Sequence, residues 1–192
     1  MRRVYLSAGF DQMSELIYLQ GNPHGNEAEA ELPPNLQWIR YSEMSHDRFA
    51  ATIHATYQES LDCPALNGRR SMEDIIDGHK ASGVFNPQHW MLLCQEDQAL
   101  GVLLLASSGR GLDVMELVYL GLAPEARGKR LGEILLRQAF AIVAAENHQR
   151  LSLAVDSRNV PALKLYYRHG MTRVTSKLAF MRDLRKNFST PH

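Results

Sequence analysis

From Leu36 onward, apolar positions recur with a spacing that switches between two and about 3.6 residues, so short strands and helices follow one another. Gln37 to Tyr41 predicts a short strand. Ser45 stands as an N-cap with Asp47 in the first turn, and Phe49, Ile53 and Tyr57 recur at i, i+4 and i+8, which predicts a helix to about Gln58. Leu61 to Arg70 reads as a loop through Asp62-Cys63-Pro64 and Asn67-Gly68. Ser71 and Asp74 resemble a capping box with the shorter acid, opening a second helix that Gly83 ends near. Gln88 to Gln95 and Ala99 to Ala106, joined at Glu96-Asp97-Gln98, predict a hairpin.

The next stretch changes period twice. In Leu112 to Leu122 the even positions Leu112, Val114, Glu116, Val118, Leu120 and Leu122 share one face of a predicted strand, and Glu116 is the only charge among them. After Pro124 a helix is expected from near Gly128, with Leu131, Leu135, Ala139, Ile142 and Val143 on its apolar face, to about Asn147. Leu151, Leu153 and Val155 form a further strand. Val160 to His169 forms a short helix stopped by Gly170, and Val174 and Leu178 to Met181 form closing strands. Strand, helix, strand in that order requires a parallel pair with a crossover, whereas the hairpin is antiparallel, so the sheet is mixed.

Residues 1–35 read as an N-terminal extension and linker, and 36–192 as the domain proper. Val4-Tyr5-Leu6 suggests a short strand and Gln12 to Leu19 a helical turn or two. Gly21-Asn22-Pro23-His24-Gly25-Asn26, an acidic run and Pro33-Pro34 suggest a loop. Packing on the domain and reaching a neighbouring chain, as in a homodimer, are both open for this segment.

Composition narrows the class. At 192 residues with 45% hydrophobic and 22% charged side chains, the chain is an ordinary globular one that removes roughly 70% of its unfolded surface from water. Two cysteines without ligand spacing suggest reduced thiols and neither a disulfide framework nor a zinc site, and histidines 46, 54, 79, 89, 148 and 169 show no metal spacing. No apolar stretch reaches the roughly 20 residues that cross a bilayer, and Ser7, Gly9 and Asp11 interrupt any signal-peptide core, so a cytoplasmic protein without a membrane partner is expected. The net charge is zero, which argues against a nucleic-acid coat. It is unevenly spread: residues 1–122 hold 8 basic and 16 acidic side chains, and residues 123–192 hold 13 basic and 5 acidic.

The basic half contains Pro124-Glu125-Ala126-Arg127-Gly128-Lys129-Arg130-Leu131-Gly132, a strand end running through a glycine-containing basic turn into a helix. The first-turn N–H groups of a helix lack internal partners, so such an end binds phosphate through backbone donors and the helix dipole. A solvated basic turn is the bland alternative. Neither a Walker spacing nor a dinucleotide GxGxxG is present.

This stretch resembles the coenzyme A motif of the GNAT superfamily of N-acetyltransferases, [Q/R]-x-x-G-x-[G/A], with Arg127 and Gly132 at the outer fixed positions and Arg130 in place of the middle glycine. Leu120-Gly121-Leu122-Ala123-Pro124-Glu125 resembles the family's strand end and loop entry. Asn159 to Met171 is similar to its N-x-x-A-x-x-[LF]-Y-x-x-x-G-F signature, with Met171 for phenylalanine. The resemblance covers roughly residues 36–182. It implies an α/β (α+β) fold: a mixed, mostly antiparallel sheet with one splayed parallel strand pair and helices on both faces. It further implies acetyl-coenzyme A as cosubstrate, with pantetheine along Leu120, Gly121 and Leu122. Pyrophosphate would lie on Arg127, Gly128, Lys129, Arg130, Leu131 and Gly132, and Asn159 would bond the pantetheine arm or cap the last helix. Helical φ/ψ is expected at Arg130.

The implied acceptor is an unidentified primary amine. An ammonium of pKa near 10.4 costs roughly 4 to 5 kcal/mol to deprotonate at pH 7, so a base or an ordered water is needed. Glu116 lies where some family members that acetylate amines carry their catalytic glutamate; a charge-paired or solvent-facing Glu116 is the alternative. Tyr166 matches the family's acid, which protonates the thiolate, against a packing role. Asp62, Cys63, Arg69 and Arg70, with Trp90 or Tyr119, are the acceptor-side candidates. A catalytically inactive coenzyme-binding module of the same fold is the alternative to the enzyme.

Overall fold

The computed structural model describes residues 2–23, 32–64, 68–108 and 113–182. Its elements are α1 (Arg2–Ser7), β1 (Asp11–Gly21), β2 (Leu36–Arg40), α2 (His46–Thr56), α3 (Met72–Lys80), β3 (Val84–Gln95), β4 (Gln98–Ser107), β5 (Val114–Leu122), α4 (Leu131–Ala145), β6 (Arg150–Asp156), α5 (Val160–Arg168) and β7 (Thr172–Met181). Leu112 and the acidic residues Glu27, Glu29 and Glu31 lie outside the described residues.

Seven strands form one sheet in the order β2-β3-β4-β5-β6-β1-β7. Every pairing is antiparallel except β5 with β6. Successive residues of β3 and β4 point to opposite faces and enter different cores. Leu93, Leu103 and Leu105 pack with Leu135, Leu136, Ala139 and Phe140 of α4 and Tyr166 of α5. Leu92, Val102 and Leu104 pack with Phe49 and Ile53 of α2 and Ile76 of α3. Each such side chain contributes about 1.5 to 3 kcal/mol by leaving water, so both helix layers are fixed to the sheet by its own alternation.

The cap signals hold where they are local. Ser71 Oγ accepts from Asp74 N at 3.1 Å, and Asn159 Oδ1 accepts from Ala162 N at 3.3 Å, opening α3 and α5. Gly170, at φ 76°, ends the latter.

Three readings are corrected. Residues 4–6 lie in helix α1 rather than a strand, with Tyr5 stacked on Phe180 at 4.9 Å. Residues 12–19 lie in strand β1 rather than a helix. Within the segment expected as extension and linker, β1 is hydrogen-bonded to β6 on one side and β7 on the other, and it drops Ile17 and Leu19 into the α4 core. Third, the alternation along β5 breaks. Leu104 faces Tyr119 but Leu105 faces Leu117, so Val118 is an extra residue in the ladder. Met115 and Leu117 face the α4 side before this bulge, Leu120 and Leu122 face it afterwards, and Val118 and Tyr119 pack against the α2/α3 side. Glu116 therefore points to the face opposite Leu120 and Leu122, not to the same one.

Candidate active site

The parallel ladder has only three rungs, Val114 with Arg150, Met115 with Leu151 and Glu116 with Ser152. Beyond them β5 and β6 diverge, next to the bulge that adds twist to β5. The resulting cleft, about 370 Å³, is walled by Leu117–Leu122 on one side and Leu153–Val155 on the other. Asn159, Leu165 and Tyr166 of the α5 unit close one flank, and Thr56 with Glu59–Asp62 closes another.

Glycines set the cleft's dimensions. A Cβ on Gly121 would lie 2.8 Å from Thr56 Cβ and 2.9 Å from Tyr119 Cε1, so only glycine lets β5 pass under α2. A Cβ on Gly132 would lie 3.2 Å from Leu165 Cδ2, where α4 and α5 approach each other. Gly128, at φ 74°, has open space where a side chain would stand.

Helix α4 begins at Leu131, later than expected from Gly128, because Arg130 is left-handed at φ 62°, ψ 11° instead of helical. A left-handed residue with a Cβ costs about 1 to 2 kcal/mol, which accounts for glycine at this position in the motif. The Arg130 guanidinium pairs with Glu133 at 3.2 Å, and Arg168 also reaches Glu133 at 3.0 Å. Lys129 is exposed at the same turn. The Arg127 side chain, expected at phosphate, is turned inward: Nε donates to Leu122 O at 3.2 Å, and Nη2 to Thr56 O at 3.1 Å and Gln58 O at 2.6 Å.

Glu116 stands on the last rung before the strands part. Burial pushes its carboxyl above the usual range, and no salt bridge holds it among the described residues. It does not itself line the cleft, which starts at the next residue. Tyr166 is 6% exposed and does line it; burial, then the Asp62 charge, push its phenol up, so it stays protonated at neutral pH. Asn159 uses its oxygen as the α5 cap.

Of the acceptor-side candidates, Asp62 and Tyr119 line the cleft, Cys63 donates its amide to Asp156, and Arg69 donates to Met181 Sδ at 3.4 Å. Trp90 is wholly buried in the α2/α3 core and does not line the cleft. Sequence reasoning missed Thr56, whose hydroxyl bonds Tyr119 Oη at 2.9 Å, and His79, stacked on Tyr119 at 5.4 Å. It also missed Asp156, which is fully buried and bound by Arg158 Nε at 3.0 Å and Nη2 at 2.6 Å. Only the Asp-x-Arg spacing just before Asn159 carried a signal for that pair.

A mixed sheet that splays beside a helix N-terminus, with a buried phenol in the gap, is the architecture of the acetyltransferase fold class. The family model described as the Acetyltransferase (GNAT) family matches residues 53–171, and the chain belongs to that family. The chain is 33% identical over 104 residues to the mycothiol acetyltransferase of Stackebrandtia nassauensis, covering 52% of this chain and 34% of that protein. It is 38% identical over 60 residues to a Bacillus subtilis protein described as a candidate N-acetyltransferase for an alanine of ribosomal protein bS18, covering 31% of this chain and 40% of that one. The matches thus span less than half of either relative. The fold is similar to that of a GCN5-related N-acetyltransferase from Sphaerobacter thermophilus, with TM-score 0.69 and 15% identity over 93% of this chain and 54% of that one. Among the described residues no cluster could hold a metal ion, and no helix is long and apolar enough to cross a membrane.

Proposed function

We propose that the chain is a cytoplasmic N-acetyltransferase that moves an acetyl group from acetyl-coenzyme A to a primary amine bound at the same time. The observation that carries this is the gap opening at Glu116 and Ser152, with Tyr166 in its wall and the α4 N-terminus at its wide end. The residues present suit the cosubstrate. Leu120–Leu122 offer an edge unpaired by β6, and the turn from Gly128 to Gly132 offers amides at a helix start with open space at Gly128. Lys129 and Arg130 add positive charge there, whereas the Arg127 side chain is committed to carbonyl oxygens. One of the named relatives supports a nitrogen acceptor, being described as a candidate alanine N-acetyltransferase.

Acetyl-coenzyme A supplies an activated thioester. Glu116, working through water from the vertex of the gap, takes the proton of the acceptor ammonium, and its burial raises its basicity for that task. Backbone N–H groups of the splayed part of β5 polarise the carbonyl. The Tyr166 hydroxyl then gives its proton to the departing sulfur.

Release of free thiol from acetyl-coenzyme A across an amine panel tests the reading. Tyr166→Phe is expected to lower kcat about 100-fold while calorimetric coenzyme affinity holds; an unchanged kcat removes Tyr166 from the reaction. The strained Arg130 favours, as a second reading, a module that binds coenzyme without turnover. Binding with no thiol release over the whole panel would establish that one.

A further inference from the structure

The segment Thr56–Cys63 crosses the open end of the splayed pair as a strap and is pinned at both sides. On the β5 side Arg127 holds Thr56 O and Gln58 O at 3.1 and 2.6 Å. On the β6 side two hydrogen bonds run in opposite directions: Cys63 N donates to Asp156 Oδ2 at 3.2 Å, and Asp156 N donates to Asp62 Oδ1 at 2.9 Å. This exchange fixes Asp62 in the wall of the cleft. Its second oxygen, Oδ2, has no hydrogen-bond partner among the described residues.

The two carboxylates of the exchange are tuned apart. Burial pushes the Asp62 carboxyl up, against the bond from Asp156 N. Burial acts on Asp156 in the same direction, yet the side-chain and backbone hydrogen bonds of Arg158 hold it down to about 2. Asp156 is thus a neutralised structural anion, while Asp62 faces the cleft unpaired. The other groups around it are Glu59 on the strap, the phenols of Tyr57, Tyr119 and Tyr166, the thiol of Cys63, the exposed Arg70 ahead of α3, and Arg127 and Arg158. The last two guanidiniums are engaged by the pins, and the charge of the exposed Arg70 acts on Tyr57 and His79, while the charge that acts on Asp62 is that of Asp156.

We propose that Asp62 selects the acceptor: its free oxygen receives a second positively charged group of the amine, so the enzyme takes diamines in preference to amino acids, whose carboxylate it repels. This rests on the acetyltransferase reading and adds the class of acceptor to it. The strap makes the selection rigid, because neither end can swing Asp62 out without breaking a pin.

Asp62→Asn keeps the oxygen that accepts from Asp156 N and removes only the charge. The probes are 1,4-diaminobutane, 1-aminobutane and 4-aminobutanoate, which share a chain length and differ in the distal group. The wild type is expected to show the highest kcat/KM with the diamine and the lowest with 4-aminobutanoate. The variant is expected to shrink the diamine-to-amino-acid ratio by about tenfold, with coenzyme affinity unchanged and the ratio regained in Asp62→Glu. An unchanged ratio in the variant, or a wild-type preference for 4-aminobutanoate, overturns the proposal. If no probe is turned over, the same three are titrated onto protein saturated with coenzyme A, and failure of the diamine to bind more tightly than 4-aminobutanoate overturns it equally. Coenzyme binding to the wild type is read separately. Its absence removes the acetyltransferase reading and the proposal together, whereas intact binding with an unchanged ratio removes Asp62 alone.

Discussion

Replacing Arg127 with glutamine separates two roles that one arginine in a coenzyme motif can play. Its guanidinium makes three hydrogen bonds to main-chain carbonyls, at 3.2 Å to Leu122, 3.1 Å to Thr56 and 2.6 Å to Gln58. The Leu122 and Thr56 bonds are part-buried, and the Gln58 bond is solvent-exposed. A hydrogen bond from a charged donor contributes about 1.5 to 3 kcal/mol, and the exposed one much less. Glutamine, one donor group on a shorter stem, recovers at most one of them. The expected loss is roughly 2 to 4 kcal/mol, which for a chain of this size lowers Tm on the order of 10 °C. Because the side chain faces the strap and not the α4 turn, the acceptor KM rises severalfold, while the Kd for coenzyme A and its salt dependence hold. Thermal unfolding, calorimetry at two ionic strengths and acceptor kinetics read the three quantities. A variant that keeps its Tm but binds coenzyme tenfold more weakly, with a flatter salt dependence, would refute the reasoning and return Arg127 to the phosphates.

Two further outcomes follow from burial and close approach. Burial, with Arg70 nearby, lowers His79 to about 4, so below the unfolded value near 6.5 only the unfolded chain takes up the proton. Its contribution is complete above pH 6.5 and falls by roughly 3 kcal/mol as pH drops toward 4; urea unfolding between pH 7 and 4.5 should show that loss shrink in His79→Phe, and equal slopes in the two proteins would exclude His79 as its source. Gly121→Ala puts a methyl group 2.8 Å from Thr56 and 2.9 Å from Tyr119, so a destabilisation of about 1 to 3 kcal/mol with a weakened acceptor KM is expected, and a neutral variant would show that α2 is free to shift.

What could be read from the sequence was what the chain encodes locally. The α3 and α5 caps, the β3–β4 hairpin and the apolar face of α4 each depend on residues within a few positions of one another. The strand-helix-strand order carried the parallel pair, and the likeness of two motifs carried its splaying and the expectation of Tyr166 and Leu120–Leu122 beside one cleft. Leu16, Ile17, Tyr18 and Leu19 of β1 suit either a helix or a strand by local pattern, and the pairings with β6 and β7 decide the matter. The bulge at Val118 has no compositional mark, so the face of Glu116 was assigned wrongly. Two of the three carbonyls that Arg127 bonds, those of Thr56 and Gln58, lie on α2 and the strap, and the partner of Asp62 lies on β6, which no local pattern connects.

The position of β1 between β6 and β7 also bears on how the molecule assembles. Gln20 pairs with Ser152 on one side and Thr172 on the other, so β1 is joined to strands more than a hundred residues further along the chain. Such long-range pairing raises contact order and slows folding, because the loop entropy is spent before any contact offsets it. β6 and β7 meet only through β1, so the cleft wall at β6 takes its outer support from that one strand. A chain with β1 undocked would leave Ile17 and Leu19 in water and β6 with an unpaired edge, the kind of edge through which strands are exchanged between copies.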